Sequence, residues 1–478
     1  MMTDELSVAH QVARSMTLTQ AQVRNGVLFV LSVLAVFVLQ PAMPIRQMDF
    51  WLPFASLTLT VLVWAVTRAT SAAPVASSSF EPQTLIDTGL IAAVVLVVAL
   101  LRYVEPLSAL ITRSRPPEVM SVLVALAVVG ALTFIAARFG ARRLVWTVLV
   151  VMLVGLLVVL KFDPLTQAFS RLLRTAQTQN PQIASALDVR WLGLSYIAFR
   201  LIHALRERAT GKLPKVTLRE FMTYVVFFPA LTAGPIDRVE RFIKDLRAPF
   251  VFNLADATEA ARRLAFGLFK KYVVADQLAL VALNDVNARQ VHDLGWAWLL
   301  VYAFAFRIFF DFAGYSDIAI AIARFFGIKL PENFRNPYLK PNLTQFWNNW
   351  HITLSQWFRA YWFNPLTRGL RQRNVALAAI IFVAQLTTMV LIGLWHGITL
   401  NFVAWGLWHG LGLFIHNRWS EFAKASLTIA PGHLWLQRAV NGVGTLITFH
   451  FVALGWVFFA LPSLGLSLRV FRTLIGLG

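Results

Sequence analysis

A chain of 478 residues that is 58% hydrophobic and only 14% charged, with a mean hydropathy of +0.64, is too apolar for an ordinary soluble domain, where roughly 25% of residues are charged. The 38 Phe and 16 Trp exclude disorder, and the absence of cysteine excludes disulfides, zinc–thiolate sites, iron–sulfur clusters and a thiol nucleophile. The net charge of +20 accompanies hydrophobic context throughout, so it reads as cytoplasmic-loop and lipid-headgroup chemistry rather than nucleic-acid binding.

In chain order, residues 1–25 are polar and amphipathic, and the first apolar run starts at Gly26. No small-residue cleavage site follows it, so it reads as a signal anchor. Apolar spans follow near 50–67, 84–101, 119–137, 144–160 and 191–205, then near 221–235, 262–283, 294–312, 314–327, 375–395, 398–416, 437–461 and 463–477. Some are too short or too polar to cross a hydrocarbon core of about 30 Å unaided. The expected fold is all-α: a polytopic transmembrane helical bundle of about 10–13 crossings with re-entrant or interfacial helices.

Three cationic loops would share one side of such a bundle. They carry Arg14 and Arg24; Arg138, Arg142 and Arg143; and Arg206, Arg208, Lys212, Lys215 and Arg219. The positive-inside rule makes that side, and the N-terminus, cytoplasmic. The loop at 102–119, with three Arg and two Glu, falls on the other side.

The chain changes character near residue 190. Residues 1–190 form plain Val/Leu/Ala spans, whereas the apolar segments of 191–478 contain Arg200, His203, Arg307, Asp311, Asp317, His351, His396, His409 and His450. Ionisable groups at membrane depth are costly unless they face a partner or water, so the chemistry is expected in 191–478. Arg307 and Asp311 stand four apart and can neutralise each other on one helix face. Residues 227–238 (FFPALTAGPIDR) read as a re-entrant loop, tolerable at depth only where it lines protein or a cavity.

Three prolines, at 331, 337 and 341, enforce an extended lead-in to a helix expected to begin after an Asn342 N-cap, with Gln345 at the capping-box position. On it Trp347, Trp350, Leu354, Trp357 and Tyr361 form an aromatic stripe, and Thr344, Asn348, His351 and Ser355 a polar one. This pattern suits an interfacial helix, or one that lowers His351 into a cavity. The pentapeptide Gly-Leu-Trp-His-Gly occurs at 393–397 and again at 406–410, each copy also a Gly-x-x-x-Gly packing motif. An unbroken helix would hold His396 and His409 about 20 Å apart and about 220° around the axis. They could approach one another only if the chain breaks, and Gly397, Thr399 and Asn401 offer the place. His409 and His416 share a helical face, but no further His or acid stands at ligand spacing, so no metal is expected. Nor is there a Gly-x-Ser-x-Gly elbow, a P-loop or a Gly-x-Gly-x-x-Gly.

Five segments, in order, resemble the membrane-bound O-acyltransferase family: GLSYIAFR at 193–200, FFPALTAGPIDR at 227–238, FFDFAGYSD at 309–317, GIKLPENFRNP through FWNNWHITLSQW at 327–357, and GLWHG at 393–397. The resemblance covers about 190–460 and leans toward the bacterial branch of teichoic-acid D-alanylation and alginate O-acetylation. It implies helices around a pocket or tunnel, with no tightly bound cofactor. A thioester donor, the phosphopantetheine of an acyl carrier protein or an acyl-CoA, would enter from the cytoplasm, and an extracytoplasmic hydroxyl would accept the acyl group. The family's essential histidine falls on His396 and its second on His351; substrate contacts are assigned to Asn348, Ser355, Trp350, Trp395, Asp311 and Tyr315. The branch also makes an extracytoplasmic transferase partner plausible, and implies a bacterial cytoplasmic membrane. Where relatives read Trp-x-Arg-Asp-Tyr, this chain has Ala360 in place of the acid.

The chemistry agrees with the resemblance. Acyl transfer to a hydroxyl needs a group that takes the hydroxyl proton, and burial favours the neutral imidazole that can do so. His396 is therefore expected to be the general base, with His351, Asn348 and Ser355 orienting the thioester or stabilising the oxyanion. The rival classes are a transporter or flippase of an envelope precursor, which would relay protons through the same groups and form no ester, and a non-catalytic scaffold, which would tolerate loss of both histidines.

Overall fold

The computed structural model describes residues 2–68, 82–104, 111–140, 142–251, 253–426 and 434–477, with the backbone alone for 2–19 and 424–426. The loop at 102–119 and residue 141 of the loop at 138–143 therefore lie partly outside the described residues. Among those described, every regular element is helical. The long helices of the N-terminal half are α1 (Met2–Val38), α2 (Met48–Arg68), α3 (Pro82–Leu100), α4 (Val119–Phe139) and α5 (Arg143–Lys161). Shorter ones follow: α6 (Asp163–Ala176), α7 (Leu194–Ala209), α8 (Leu218–Val225), α9 (Val239–Arg247) and α10 (Leu254–Leu268). Then come α11 (Leu294–Phe325), α12 (Leu343–Asn349), α13 (Ile352–Phe358), α14 (Asn364–Gln372), α15 (Leu377–His396), α16 (Leu400–Ser426), α17 (Leu434–Ala460) and α18 (Leu464–Leu474).

Eight described helices are long and apolar enough to cross a membrane: α1 over Gln20–Val38, α2, α3, α4, α5, α11, α15 and α17. The chain is a multi-pass membrane protein with the expected all-helical architecture. The remaining sequence candidates fall in shorter or more polar helices. The two spans read at 294–312 and 314–327 are one continuous helix of 32 residues. In α4 and α5 only 6% of the spanning window is buried in protein, so their Val/Leu surfaces are left for lipid.

The chain forms two compact units, one of Met1–Arg262 with Ala319–Leu330, the other of Arg263–Ile318 with Pro331–Gly478. In the first unit, the buried ionisable groups near 200–241 hold the backbone. The Arg200 guanidinium, 1% exposed, donates to the carbonyls of Val225 and Ala230 at 2.8 Å each. His203 Nε2 accepts the Val239 N–H at 3.2 Å, at the start of α9, and Tyr224 donates to the Asp237 carbonyl at 2.9 Å. Most of the 227–238 loop is thus buried in protein, with the carbonyls of Ala230 and Asp237 held by side-chain donors, a setting in which irregular backbone survives at depth. Arg200 and His203, which depth alone marked as functional, serve this framework.

Asp188 in the same unit accepts hydrogen bonds from Arg174 Nε at 2.8 Å, Ser170 Oγ at 2.6 Å and the Ser185 N–H at 3.0 Å. Burial alone would raise its carboxyl, but these donors outweigh burial and hold it below its ordinary 3.8. A lowered native pKa gives stability that is fully present above that ordinary value and lost as pH falls through the lowered one. Asp188→Asn should cost about 3 kcal/mol at neutral pH by leaving Arg174 buried without its partner. It should also flatten the acid dependence below pH ~4, read by thermal melting of the solubilised chain between pH 7 and 3.

In the second unit, α10 and α11 cross where glycines meet. A Cβ on Gly267 would lie 2.9 Å from the Gly314 carbonyl oxygen, and one on Gly314 2.8 Å from that of Gly267. This approach brings the π-helical turn Phe269–Ala275 against α11. Lys270 pairs with Asp317 at 2.7 Å and Lys271 with Asp311 at 2.5 Å, while Arg263 bridges Asp317 and Glu332. The expected Arg307–Asp311 pair is not formed, because Lys271 takes the carboxylate from a neighbouring segment.

Candidate active site

The site is assembled in the second unit from α11 to α13 and the α15–α16 hairpin. Asn342 caps α12 as the sequence indicates, its side chain accepting the Gln345 N–H at 2.9 Å. The helix then stops. Trp350 leaves helical geometry and His351 takes the left-handed conformation, φ 41°, before α13 begins.

A residue the sequence reading overlooked causes the break. Asn333, completely buried, lies against the chain between α12 and α13. Its carbonyl accepts the Ile352 N–H at 3.0 Å and its Oδ1 accepts the Thr353 hydroxyl at 2.7 Å. Its Nδ2 donates to Ser316 Oγ at 3.2 Å. That leaves Oδ1 facing His351 Nδ1 at 3.3 Å. An amide oxygen only accepts, so the His351 proton sits on Nδ1 and its lone pair on Nε2. Nε2 is buried and has no hydrogen-bond partner among the described residues. The ring itself is wedged edge-on against Phe312, 4.6 Å between centroids.

The break also divides the expected polar stripe. Thr344, Asn348 and Ser355 line a cavity of about 140 Å³ together with Arg359, Gln385 and Thr388, but His351 does not. Arg359 donates to Asn348 Oδ1 at 2.7 Å, and Gln385 Oε1 is buried without a hydrogen-bond partner among the described residues. Two of the expected substrate contacts, Asn348 and Ser355, thus share a polar cavity. Trp350 does not reach it: 4% exposed, it packs among Phe334, Tyr338, Phe346 and Trp456. Asp311 is engaged by Lys271, and Tyr315, one turn further along α11, is not part of the cavity wall either.

The hairpin supplies the second histidine. Helix α15 ends at His396 and α16 starts at Leu400, so the chain breaks where Gly397 and Thr399 suggested. The duplicated glycines let the two helices close on each other. A Cβ on Gly393 would collide with the Phe402 carbonyl, one on Gly406 would lie 2.5 Å from Val390 Cα, and one on Gly410 2.9 Å from Leu386 Cα. Gly406→Val should therefore spread the hairpin, costing about 1–3 kcal/mol from overpacking. A lower melting temperature and broadened gel-filtration profile of the solubilised chain would register it.

His396, half-buried, stands among Trp395 (4.5 Å between ring centroids), Phe459 (4.7 Å), Phe402 (5.9 Å) and Trp405 (6.0 Å). Trp395 also meets His351 edge-on at 6.3 Å. The structure therefore brings His351, Trp395 and His396 into one row. His409 is outside that row, in ring contact with Trp405 at 4.8 Å.

A model of the membrane-bound O-acyltransferase family matches residues 132–451. The chain is 34% identical over 292 residues to a teichoic acid D-alanyltransferase of Streptococcus thermophilus, a match covering 57% of this chain and 68% of that protein. It is 34% identical over 292 residues to a probable alginate O-acetylase of Pseudomonas fluorescens, covering 60% of this chain and 54% of the relative. A peptidoglycan O-acetyltransferase of Helicobacter pylori is 33% identical over 291 residues, covering 57% and 52%. The match thus spans about half the length of these two O-acetylating relatives. With a family match over two thirds of its length, enclosing both histidines of the row, this chain belongs to the membrane-bound O-acyltransferase family.

Proposed function

We propose that this O-acyltransferase moves a D-alanyl or acetyl group from a thioester donor on the cytoplasmic side to a hydroxyl of an extracytoplasmic envelope polymer or polysaccharide. The observation that carries this reading is the row of His351, Trp395 and His396 in a membrane-embedded unit, with His351 Nε2 left as an unused acceptor. The acceptor oxygen bonds to the thioester carbonyl carbon, the carbon–sulfur bond breaks, and the hydroxyl proton passes to His396 and on to the departing thiolate. His351, held by Asn333 with its lone pair on the buried and unpartnered Nε2, is suited to accept a hydrogen bond that orients a substrate. Stabilising an oxyanion would instead require a proton on that nitrogen. Asn348 and Ser355 would hold neutral polar groups of a substrate in the cavity they line.

The donor would be the phosphopantetheine arm of an acyl carrier protein or an acyl-CoA, and an extracytoplasmic transferase could complete the transfer to polymer. The relatives' names support D-alanyl and acetyl as the groups moved, and the cationic loops support a bacterial cytoplasmic membrane with the N-terminus inside. The region from 191 onward would carry the chemistry. Feeding cells that express the chain labelled D-alanine or labelled acetate, then releasing envelope label with mild base, tests the proposal. Base-labile label from one precursor is expected, and its identity names the acyl group. No ester above background from either would contradict it.

A further inference from the structure

His409 is the buried imidazole that the proposed transfer leaves unused, and it belongs to the second Gly-Leu-Trp-His-Gly. It is 0% exposed, and neither ring nitrogen has a hydrogen-bond partner among the described residues. Its ring closes a triangle with two indoles, meeting Trp347 edge-on at 5.2 Å and 90° and Trp405 at 4.8 Å, while the indoles meet each other at 5.7 Å. Both indole N–H groups are likewise buried and unpartnered. Room for the imidazole depends on a glycine opposite, since a Cβ on Gly455 would stand 2.7 Å from His409 Nε2.

Packing alone does not account for this arrangement. A phenyl ring would fill the same space without burying two unpaired nitrogens, and such buried groups in native proteins call for a specific explanation. The neighbours supply one. Trp405 is in ring contact with both His409, at 4.8 Å, and His396, at 6.0 Å and 75° between ring planes, while Trp347 forms part of the wall of the polar cavity. Tilted 57° against Trp405, the imidazole offers that indole an N–H as well as C–H contacts, which a phenyl ring of the same size cannot.

We infer that His409 is a positioning residue for His396, acting through Trp405: it holds the indole wall against which the proposed base stands. This rests on the assignment of His396 as the base, and the test separates the two. His409→Phe keeps the ring and removes both nitrogens, and Trp405→Phe removes the indole. In solubilised full-length protein, the rate at which diethyl pyrocarbonate carbethoxylates His396, followed by peptide mass spectrometry, reports the wall without any substrate. His409→Phe should raise that rate several-fold at unchanged melting temperature. Base-labile ester formation in cells should fall about tenfold, as a displaced catalytic group would require. Combining it with Trp405→Phe should add nothing to Trp405→Phe alone, the mark of a shared route.

An unchanged carbethoxylation rate, or effects of the two substitutions that multiply, would overturn the inference. Should His396→Ala retain ester formation, the base assignment fails, while the carbethoxylation rates still decide whether His409 holds the wall.

Discussion

His396→Ala is expected to lower ester formation by about 10²–10⁴-fold, the range over which a positioned general base contributes. His396→Gln, which keeps a polar side chain but cannot take up a proton, should fall equally. Neither change should unfold the chain. The ring is half-buried at the end of α15, and the hairpin beyond it is closed by Gly393, Gly406 and Gly410, whose contacts do not involve the imidazole. Ester-linked label per unit of membrane-inserted protein measures the loss, and gel filtration of the solubilised variant checks the fold.

Asn333→Ala should be the most damaging single change outside the histidines. It withdraws the acceptor of the Thr353 hydroxyl, the donor to Ser316 and the oxygen facing His351 Nδ1, all in a buried setting. Leaving such groups unpaired costs about 1–3 kcal/mol each, so the site region should lose about 3 kcal/mol or more. Ester formation should fall about 100-fold, since nothing would then fix which His351 nitrogen carries the proton. Asn333→Asp keeps an oxygen toward Thr353 and His351 but loses the N–H to Ser316, and should retain more transfer than Asn333→Ala. Thermal melting and ester formation measured on both variants would check the order; equal loss in the two would mean that the amide oxygen is not what positions His351.

Features set by neighbours in sequence were legible before the fold was known. The Asn342 cap needs only its own helix, and the break after His396 needs only Gly397 and the residues that follow. The paired Gly-Leu-Trp-His-Gly motifs already announced close helix packing. What escaped was decided by residues far along the chain. A continuous aromatic and polar stripe over 344–361 satisfies helical periodicity, yet Asn333 reaches in from 18 residues upstream of His351 and breaks it. The only local signal was an asparagine in an extended stretch between two prolines. In the same way Asp311 has an arginine at ideal helical spacing, but the Gly267–Gly314 crossing delivers Lys271 first. Trp350 follows the helical stripe, but once α12 ends its indole turns into the core beside Trp456. Arg200 and His203 were marked as functional because depth alone makes charge conspicuous; their backbone partners, 25 to 36 residues away, could not be read from periodicity.

The most direct measurement is base-labile acyl label in the envelope of cells fed D-alanine or acetate, compared between wild-type protein and His396→Ala at equal membrane abundance. The account expects label from one precursor in the wild type and its loss in the variant. Equal label in both, or none above background in either, would contradict acyl transfer through His396.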